Sequence, residues 1–233
     1  MDYSVVVPVF DERDNLEILL KALTGVMDSL LKSYEIICVN DGSRDGSDEV
    51  LRALKRKYGQ LRVVEFEINC GLTAALDAGF LMAKGDIVIT MDADMQNDPR
   101  DIPKLIKEIG DYDVVCGVRS GRHDPWLRIV SSRIANYVRN RITGENITDV
   151  GCTLRVYKRK FLARLKLFGG MHRFLPTLLK WEGAKLVEVE VIHHPRLYGK
   201  TKYGVWNRVF KAFIDLLVVV WMKRRRLNYR IKE

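Results

Sequence analysis

Cysteine is scarce. The 233 residues hold four, Cys38, Cys70, Cys116 and Cys152, far apart and with no CxxC pair. That spacing argues against a zinc site and suits a reducing compartment. Cys38 and Cys116 fall in strand-like runs and read as core thiols. No GxGxxG follows the first apolar run, which argues against a dinucleotide-binding domain. No GxxxxGK followed by Ser or Thr occurs, so a P-loop nucleotidase is not indicated either. Met1 to Phe10 lacks the basic start and long apolar stretch of a signal peptide. Internal repeats and low-complexity linkers are missing too. Acids are the minority charge, 30 against 39 basic residues, for a net +9. Such a balance points to an anionic partner: nucleic acid, anionic lipid or a phosphate-rich substrate.

What is present suffices for one sizeable core: 47% of residues are hydrophobic and 30% charged. Strands are expected at Ser4 to Val9, Glu35 to Val39, Leu61 to Phe66, Asp86 to Met91 and Asp113 to Val118, each an apolar, β-rich run. Helical spacing runs from Asp14 to Leu31, with Asp14 or Asn15 as cap, then from Ser47 or Asp48 to Tyr58, Gly71 to Ala83 and Pro103 to Ile109. Near-continuous apolar strands alternating with amphipathic helices predict an α/β fold with a mostly parallel sheet covered on both faces. Ligands of such sheets bind beyond the carboxyl ends of the strands. The polar loops DERDN, NDGSRDGS, NCG and DADMQND all follow strands, so the chemistry collects along one edge. In the second half, Trp126 to Arg141 reads as a basic helix, Val150 to Tyr157 and Lys185 to Val191 as strands, and Val205 to Met222 as a helix.

The acids of TMDADMQNDP stand out in a basic chain. Asp92 and Asp94, at a strand end, can converge on one hard cation such as Mg²⁺ or Mn²⁺, and Gln96 can add an oxygen or orient a bound water. The bland alternative is a polar turn in which Asp98-Pro99 starts a helix. The segments VVVPVFDERDN, VNDGSRDGS, NCGLTAALDAGF, GDIVITMDADMQNDP, ITDVGCTLRVYKR, GGMHRFLPTL and RLYGKTKYG, in this order, resemble the family 2 glycosyltransferases of the GT-A fold. The similarity is greatest to the branch that makes polyprenyl-phosphate sugars, the dolichol-phosphate mannose synthases among them, and it spans nearly the whole chain.

The resemblance implies roles. Pro8, Phe10 and Glu12 match the first nucleotide-binding segment, with Phe10-Asp11 where the family usually has Tyr-Asn. Asp41 matches the acid that contacts the nucleoside. Asp92, Asp94 and Gln96 match the site of a divalent cation, Mg²⁺ or Mn²⁺, which holds the donor diphosphate and stabilises it as leaving group. Arg196, with Lys200 or Lys202, is expected over the donor phosphates. Arg119 and Arg133 are expected to face the acceptor phosphate, since a guanidinium fork matches phosphate oxygens. Arg155, His172 and Arg173 fall in segments near sugar and acceptor, although His172 also reads as a packed structural histidine. Asp149 matches an acid near donor sugar and acceptor; a lipid phosphate is already anionic, so it serves as base or as an orienting group. His193-His194 lacks a third ligand at metal spacing and reads as a structural or rim pair.

The expected organisation is a GT-A catalytic domain over 1–204, with a nucleotide-binding half at 1–120 and an acceptor half at 121–204. A membrane-interface helix and basic tail follow at 205–233. The apolar run Ala212 to Met222, interrupted by Asp215, falls short of the roughly 20 residues a span needs. With Trp206, Trp221 and Lys223 to Arg226 it suits a helix lying among anionic headgroups, or else a buried terminal helix with a basic end. The expected activity is metal-dependent, inverting transfer of a hexose from a nucleotide diphosphate sugar to polyprenyl phosphate on the cytoplasmic membrane face. GDP-mannose with dolichyl phosphate leads, with UDP-glucose or UDP-N-acetylglucosamine next, and a membrane-anchoring partner subunit fits that setting. A polysaccharide or glycan acceptor is an alternative, weakened by the lack of QxxRW. A nucleic-acid-binding module has only the charge in its favour.

Overall fold

In a computed structural model of the protein, residues 1–120, 140–141, 147–198 and 205–225 are described, with side chains in the last segment from Ile214 onward. Strands are β1 (Tyr3–Val9), β2 (Tyr34–Asn40), β3 (Leu61–Glu65), β4 (Ile87–Thr90), β5 (Val114–Ser120), β6 (Arg155–Lys158) and β7 (Leu186–Ile192). Helices are α1 (Arg13–Ser29), α2 (Ser47–Lys57), α3 (Leu72–Met82), α4 (Ile102–Lys107), α5 (Arg159–Leu162), α6 (Leu175–Trp181) and α7 (Val205–Arg225). Most of the basic helix expected at 126–141 lies outside the described residues.

The seven strands form one sheet in the order β3-β2-β1-β4-β6-β5-β7. Every neighbouring pair is parallel except those of β6, which runs against β4 and β5. This is the mostly parallel, helix-flanked sheet that the pattern and the GT-A resemblance predict. Alternation along each strand feeds two layers. Val5, Val7, Val9, Ile36 and Cys38 pack with Leu16, Leu20 and Leu23 of α1. Val6, Ile37, Val39 and Cys116 pack with Ala75, Leu76 and Phe80 of α3. Burial alone pushes the Cys38 thiol up to about 12, as expected of an inert core thiol.

The expected strand over 150–157 forms only from Arg155. Residues 149–153 instead turn to make side-chain bonds: the Thr90 hydroxyl donates to the Thr153 carbonyl at 2.7 Å, and Asn97 Nδ2 donates to Thr153 Oγ1 at 3.0 Å. Because β6 is antiparallel, its beginning lies at the same edge as the ends of β1, β2, β4, β5 and β7. Strand order reverses between β1 and β4, which opens a crevice at that edge. Pro8 marks the opening. The last β1–β4 pair is Val6 with Thr90, so the N–H that Pro8 lacks would face a position beyond the end of β4.

Candidate active site

The crevice is built first from the loops after β1 and β2. Asp11 is left-handed, at φ 49°, as the chain turns from β1 into α1. The expected side-chain cap at Asp14 or Asn15 is replaced by the neighbouring loop. The Asp11, Glu12 and Arg13 N–H groups donate to Ser43 Oγ, Ser47 Oγ and Asp45 Oδ2 at 3.0, 3.1 and 2.9 Å. NDGSRDGS thereby satisfies donors that a helix start leaves open. Gly42, at φ 66°, could carry no side chain: a Cβ would meet Ile68 C and Asn69 N at 2.5 Å. Asp41 is buried and accepts from Asn69 Nδ2 at 2.9 Å, Cys70 N–H at 2.6 Å and Gly71 N–H at 2.9 Å. Burial raises its pKa, and the Cys70 and Gly71 bonds counter part of that rise. Pro8 and Phe10 are half-buried beside it. A cavity of about 260 Å³ lined by Asn40, Arg44, Arg52 and Glu65 lies next to this loop, and none of the acids after β4 lines it.

The acids after β4 lie on a turn, since the strand stops at Thr90 and Met95 takes φ 61°. Asp94 is buried, and its Oδ1 accepts the Gln96 N–H at 3.1 Å. Its Oδ2 accepts Arg196 Nη2 at 2.7 Å, while Arg196 Nη1 reaches Glu12 Oε1 at 3.1 Å. The other Glu12 oxygen accepts Asn15 Nδ2 at 2.6 Å. Arg196 is delivered by the segment after β7, which is stitched along the acidic loop. His193 bridges Asn97, and the His194 N–H donates to the Gln96 carbonyl at 2.8 Å. His194 Nε2 lies 3.1 Å from Asp98 Oδ2. Burial and the adjacent Asp94 push Asp92 up to about 6, against the pull of Thr153 and Arg196. Burial likewise raises Asp94. Carboxylates destabilised by one another fit a hard cation. Among the described residues no group of three His, Cys, Asp or Glu side chains is arranged to hold a metal. Asp92 and Asp94 are the residues that could hold Mg²⁺ or Mn²⁺, with substrate phosphate supplying further ligands, as such ions accept. Gln96 meets this network through its backbone N–H, and its side-chain Nε2 lies 3.5 Å from His193 Nε2. Asp98 follows the bland reading, since it caps the 3-10 turn Pro99–Asp101 through the Arg100 N–H.

Arg119 and Asp149, drawn from separate segments, meet each other. Nε and Nη2 of Arg119 donate to the two Asp149 oxygens at 2.7 and 2.8 Å, a forked ion pair. The Arg119 and Gly151 N–H groups add bonds at 3.2 and 3.1 Å. Gly151 leaves room for this pair, since a Cβ would come within 2.5 Å of Arg119 Nη2 and displace it. Arg155 is buried where β6 begins, and its guanidinium donates to the Val150 and His172 carbonyls at 2.7 and 3.4 Å. His172 Nδ1 lies 2.7 Å from the Thr73 hydroxyl, and Arg173 Nη1 lies 3.5 Å from Asp215 of α7. Arg133, Lys200 and Lys202 fall outside the described residues. Sequence reasoning missed Thr73, Asn97 and Thr153. All three sit within or beside quoted motifs, but their partners lie 56 to 99 positions away.

With this geometry in hand, comparison with known proteins is direct. The sequence pattern described as "Glycosyl transferase family 2" matches residues 4–166. The dodecaprenyl-phosphate galacturonate synthase of Rhizobium johnstonii is 38% identical over 96% of this chain and 68% of its own length. The undecaprenyl-phosphate 4-deoxy-4-formamido-L-arabinose transferase of Edwardsiella ictaluri is 40% identical over 88% of the chain and 64% of its own. The chain thus spans about two thirds of the length of these curated relatives. Among solved structures, a Pyrobaculum calidifontis mannosyltransferase in complex with GDP-Man and Mn²⁺ superposes with a TM-score of 0.66 at 21% identity, over 97% of this chain and 65% of that one. A Mycobacterium tuberculosis glucosyl-3-phosphoglycerate synthase, in complex with Mn²⁺, uridine diphosphate and phosphoglyceric acid, does so at 0.71 and 16%, over 98% and 80%. These likenesses show the same fold, a mostly parallel sheet with flanking helices.

Proposed function

The chain belongs to glycosyl transferase family 2, and on that premise we propose that it moves a sugar from a nucleotide diphosphate sugar to a polyprenyl phosphate. The observation that carries the reading is the meeting of Asp94 and Glu12 on Arg196, with the charge of Asp92 nearby, at the carboxyl edge where the strand order reverses. Two raised carboxylates and one arginine suit a cation-bound diphosphate: acids for the cation, guanidinium for phosphate oxygens. A bound cation would neutralise charge developing on the leaving diphosphate. In this reading Pro8, Phe10 and Asp41, at the ends of β1 and β2, serve the nucleoside.

Asp149 is read as the group that orients Arg119. Both its oxygens are engaged by the guanidinium fork, and a phosphate acceptor needs no strong base. In this reading Arg119, held by that fork, is the guanidinium assigned to the acceptor phosphate. The attacking phosphate oxygen then displaces the diphosphate in one inverting step. Positioning and charge neutralisation supply most of the rate.

The acceptor class draws support from relatives named for dodecaprenyl and undecaprenyl phosphate. Mannose rests on the resemblance alone. Nucleotides of galacturonate and 4-deoxy-4-formamido-L-arabinose therefore go first in the donor panel, ahead of GDP-mannose, UDP-glucose and UDP-N-acetylglucosamine. No helix among the described residues is long and apolar enough to cross a membrane. In α7, Ile214, Leu217, Val218 and Trp221 are exposed at positions i, i+3, i+4 and i+7, and basic Lys223, Arg224 and Arg225 follow. That face suits the surface of an anionic membrane, on its cytoplasmic side in this reading, with or without an anchoring subunit.

The test is transfer of labelled sugar from that panel to a short-chain polyprenyl phosphate, with Mn²⁺, with Mg²⁺ and with EDTA. A lipid-linked product lost in EDTA is expected. Absence of any lipid-linked product from every donor with both cations would sink the reading.

A further inference from the structure

Asp215 breaks an otherwise apolar run, Ala212 to Met222, and nothing in the transfer reaction uses it. A carboxylate on the packing side of a helix is costly unless it is paired. Asp215 stands on that side: Val219, one turn later, is fully buried, and Leu216 beside it packs with Met171, Phe174 and Leu178. Its ion pair with Arg173, at 3.5 Å, is largely shielded, with the two side chains 22% and 27% exposed. Exposed pairs contribute little, and this one is not of that kind. Room for the carboxylate comes from Gly170, where a Cβ would collide with it. Gly170 also holds φ 86°, a conformation that disfavours any side chain.

The contacts continue inward. The Gly170 N–H donates to Thr73 Oγ1 at 3.1 Å, and the same hydroxyl lies 2.7 Å from His172 Nδ1. Thr73 is the second residue of α3, directly after the Cys70 and Gly71 N–H groups that hold Asp41. The His172 carbonyl takes the bond from buried Arg155 at the start of β6. One short segment, 170–173, is thus pinned to α3, to β6 and, through a charge, to α7.

We propose that Asp215 is a positioning residue: its pairing with Arg173 and its seat on Gly170 tie the placement of α7 to the segment carrying His172. The proposal deepens the lipid-acceptor reading and rests on it for its consequence. Seating of α7 at a lipid surface holds 170–173 in place for the acceptor, while the diphosphate end of the donor site, built on Glu12, Asp92 and Asp94, lies outside this chain of bonds.

The experiment uses the full chain with anionic vesicles carrying a polyprenyl phosphate. Asp215→Asn keeps the shape and removes the charge; Asp215→Glu keeps the charge. Asp215→Asn is expected to raise the acceptor KM about tenfold, with the donor KM within about twofold, and Asp215→Glu to recover most of the loss. Amide exchange at 170–173 should speed up in Asp215→Asn, and the double exchange Asp215→Arg with Arg173→Asp should restore the protection that each single change loses. Unchanged acceptor KM and unchanged exchange would overturn the proposal. So would a global fall in Tm with both KM values rising together, which marks a plain helix-docking contact. If the wild-type protein transfers no sugar to lipid, the function reading fails by itself, and the exchange and charge-swap measurements still decide whether the link exists.

Discussion

Two acids converge on Arg196, one 184 and the other 102 positions away. Both carboxylates are buried, so removing the guanidinium leaves like charges facing one another. Arg196→Ala should cost about 1–3 kcal/mol of stability without added cation. Part of that loss should return with Mn²⁺, read as a larger Mn²⁺-induced Tm shift than in the wild-type protein. Asp94→Asn should lower cation-dependent transfer by at least the ~10–100-fold that even an outer partner of a metal is worth. Transfer at the wild-type rate would remove Asp94 from the site. At the opposite edge of the sheet, Glu35 is a purely structural acid. It accepts from Ser4 Oγ at 2.7 Å, Lys84 N–H at 2.7 Å and Arg62 Nη1 at 2.6 Å. Burial would raise its pKa, but these bonds outweigh burial and leave it below the usual value. A lowered folded value means the native state binds fewer protons than the unfolded one. The stabilisation is therefore full above the ordinary carboxylate range and is lost as pH falls through and below it. Glu35→Gln should be clearly less stable than wild type at about pH 7, with the gap narrowing as pH is taken below the ordinary carboxylate range. Denaturant titrations in the two pH regions measure it, and an equal gap in both would refute the assignment.

At the level of elements, α3 lies against β1 with almost nothing between them. A Cβ on Gly79 would run into Val6 Cγ1, so Gly79→Ala must push helix from strand. A destabilisation of about 1–3 kcal/mol is expected by denaturant unfolding. The same elements show what the sequence could disclose. β1 to β4 and their helices were legible within a residue or two, because apolar strands and amphipathic helices follow from local spacing. The direction of β6 was not legible, since alternation reads the same in both directions. Its start was misplaced because Asp149 and Thr153 answer to Arg119, Thr90 and Asn97, and these tertiary bonds outweigh the β propensity of Val150. Candidate site residues came from motif resemblance; their pairing did not. Nothing local in RLYGKTKYG or DERDN announces that Arg196 closes on Glu12, and nothing local announces that Arg119 and Asp149 engage each other.

Across the whole molecule, charge of +9 and an exposed apolar stripe on α7 lead to one expectation about surfaces. Association with vesicles rich in anionic lipid should weaken steeply with salt, because exposed charges are screened within about 8–10 Å at physiological ionic strength. Neutralising Lys223, Arg224 and Arg225 together should cost about 1 kcal/mol each in sedimentation with such vesicles. Equal binding to neutral and anionic vesicles would contradict the membrane reading.

The span between Glu12 and Arg196 also sets a clock. At ~5–20 residues per second of synthesis, the 184 positions that separate them take roughly 10–40 s to appear. During that interval β1 to β4 can already be assembled, with Glu12, Asp92 and Asp94 together and their arginine not yet made. A nascent chain folded to that point would carry an acidic cleft before Arg196 is made. Whatever cations the surroundings provide are its natural guests until the last strand brings Arg196 home.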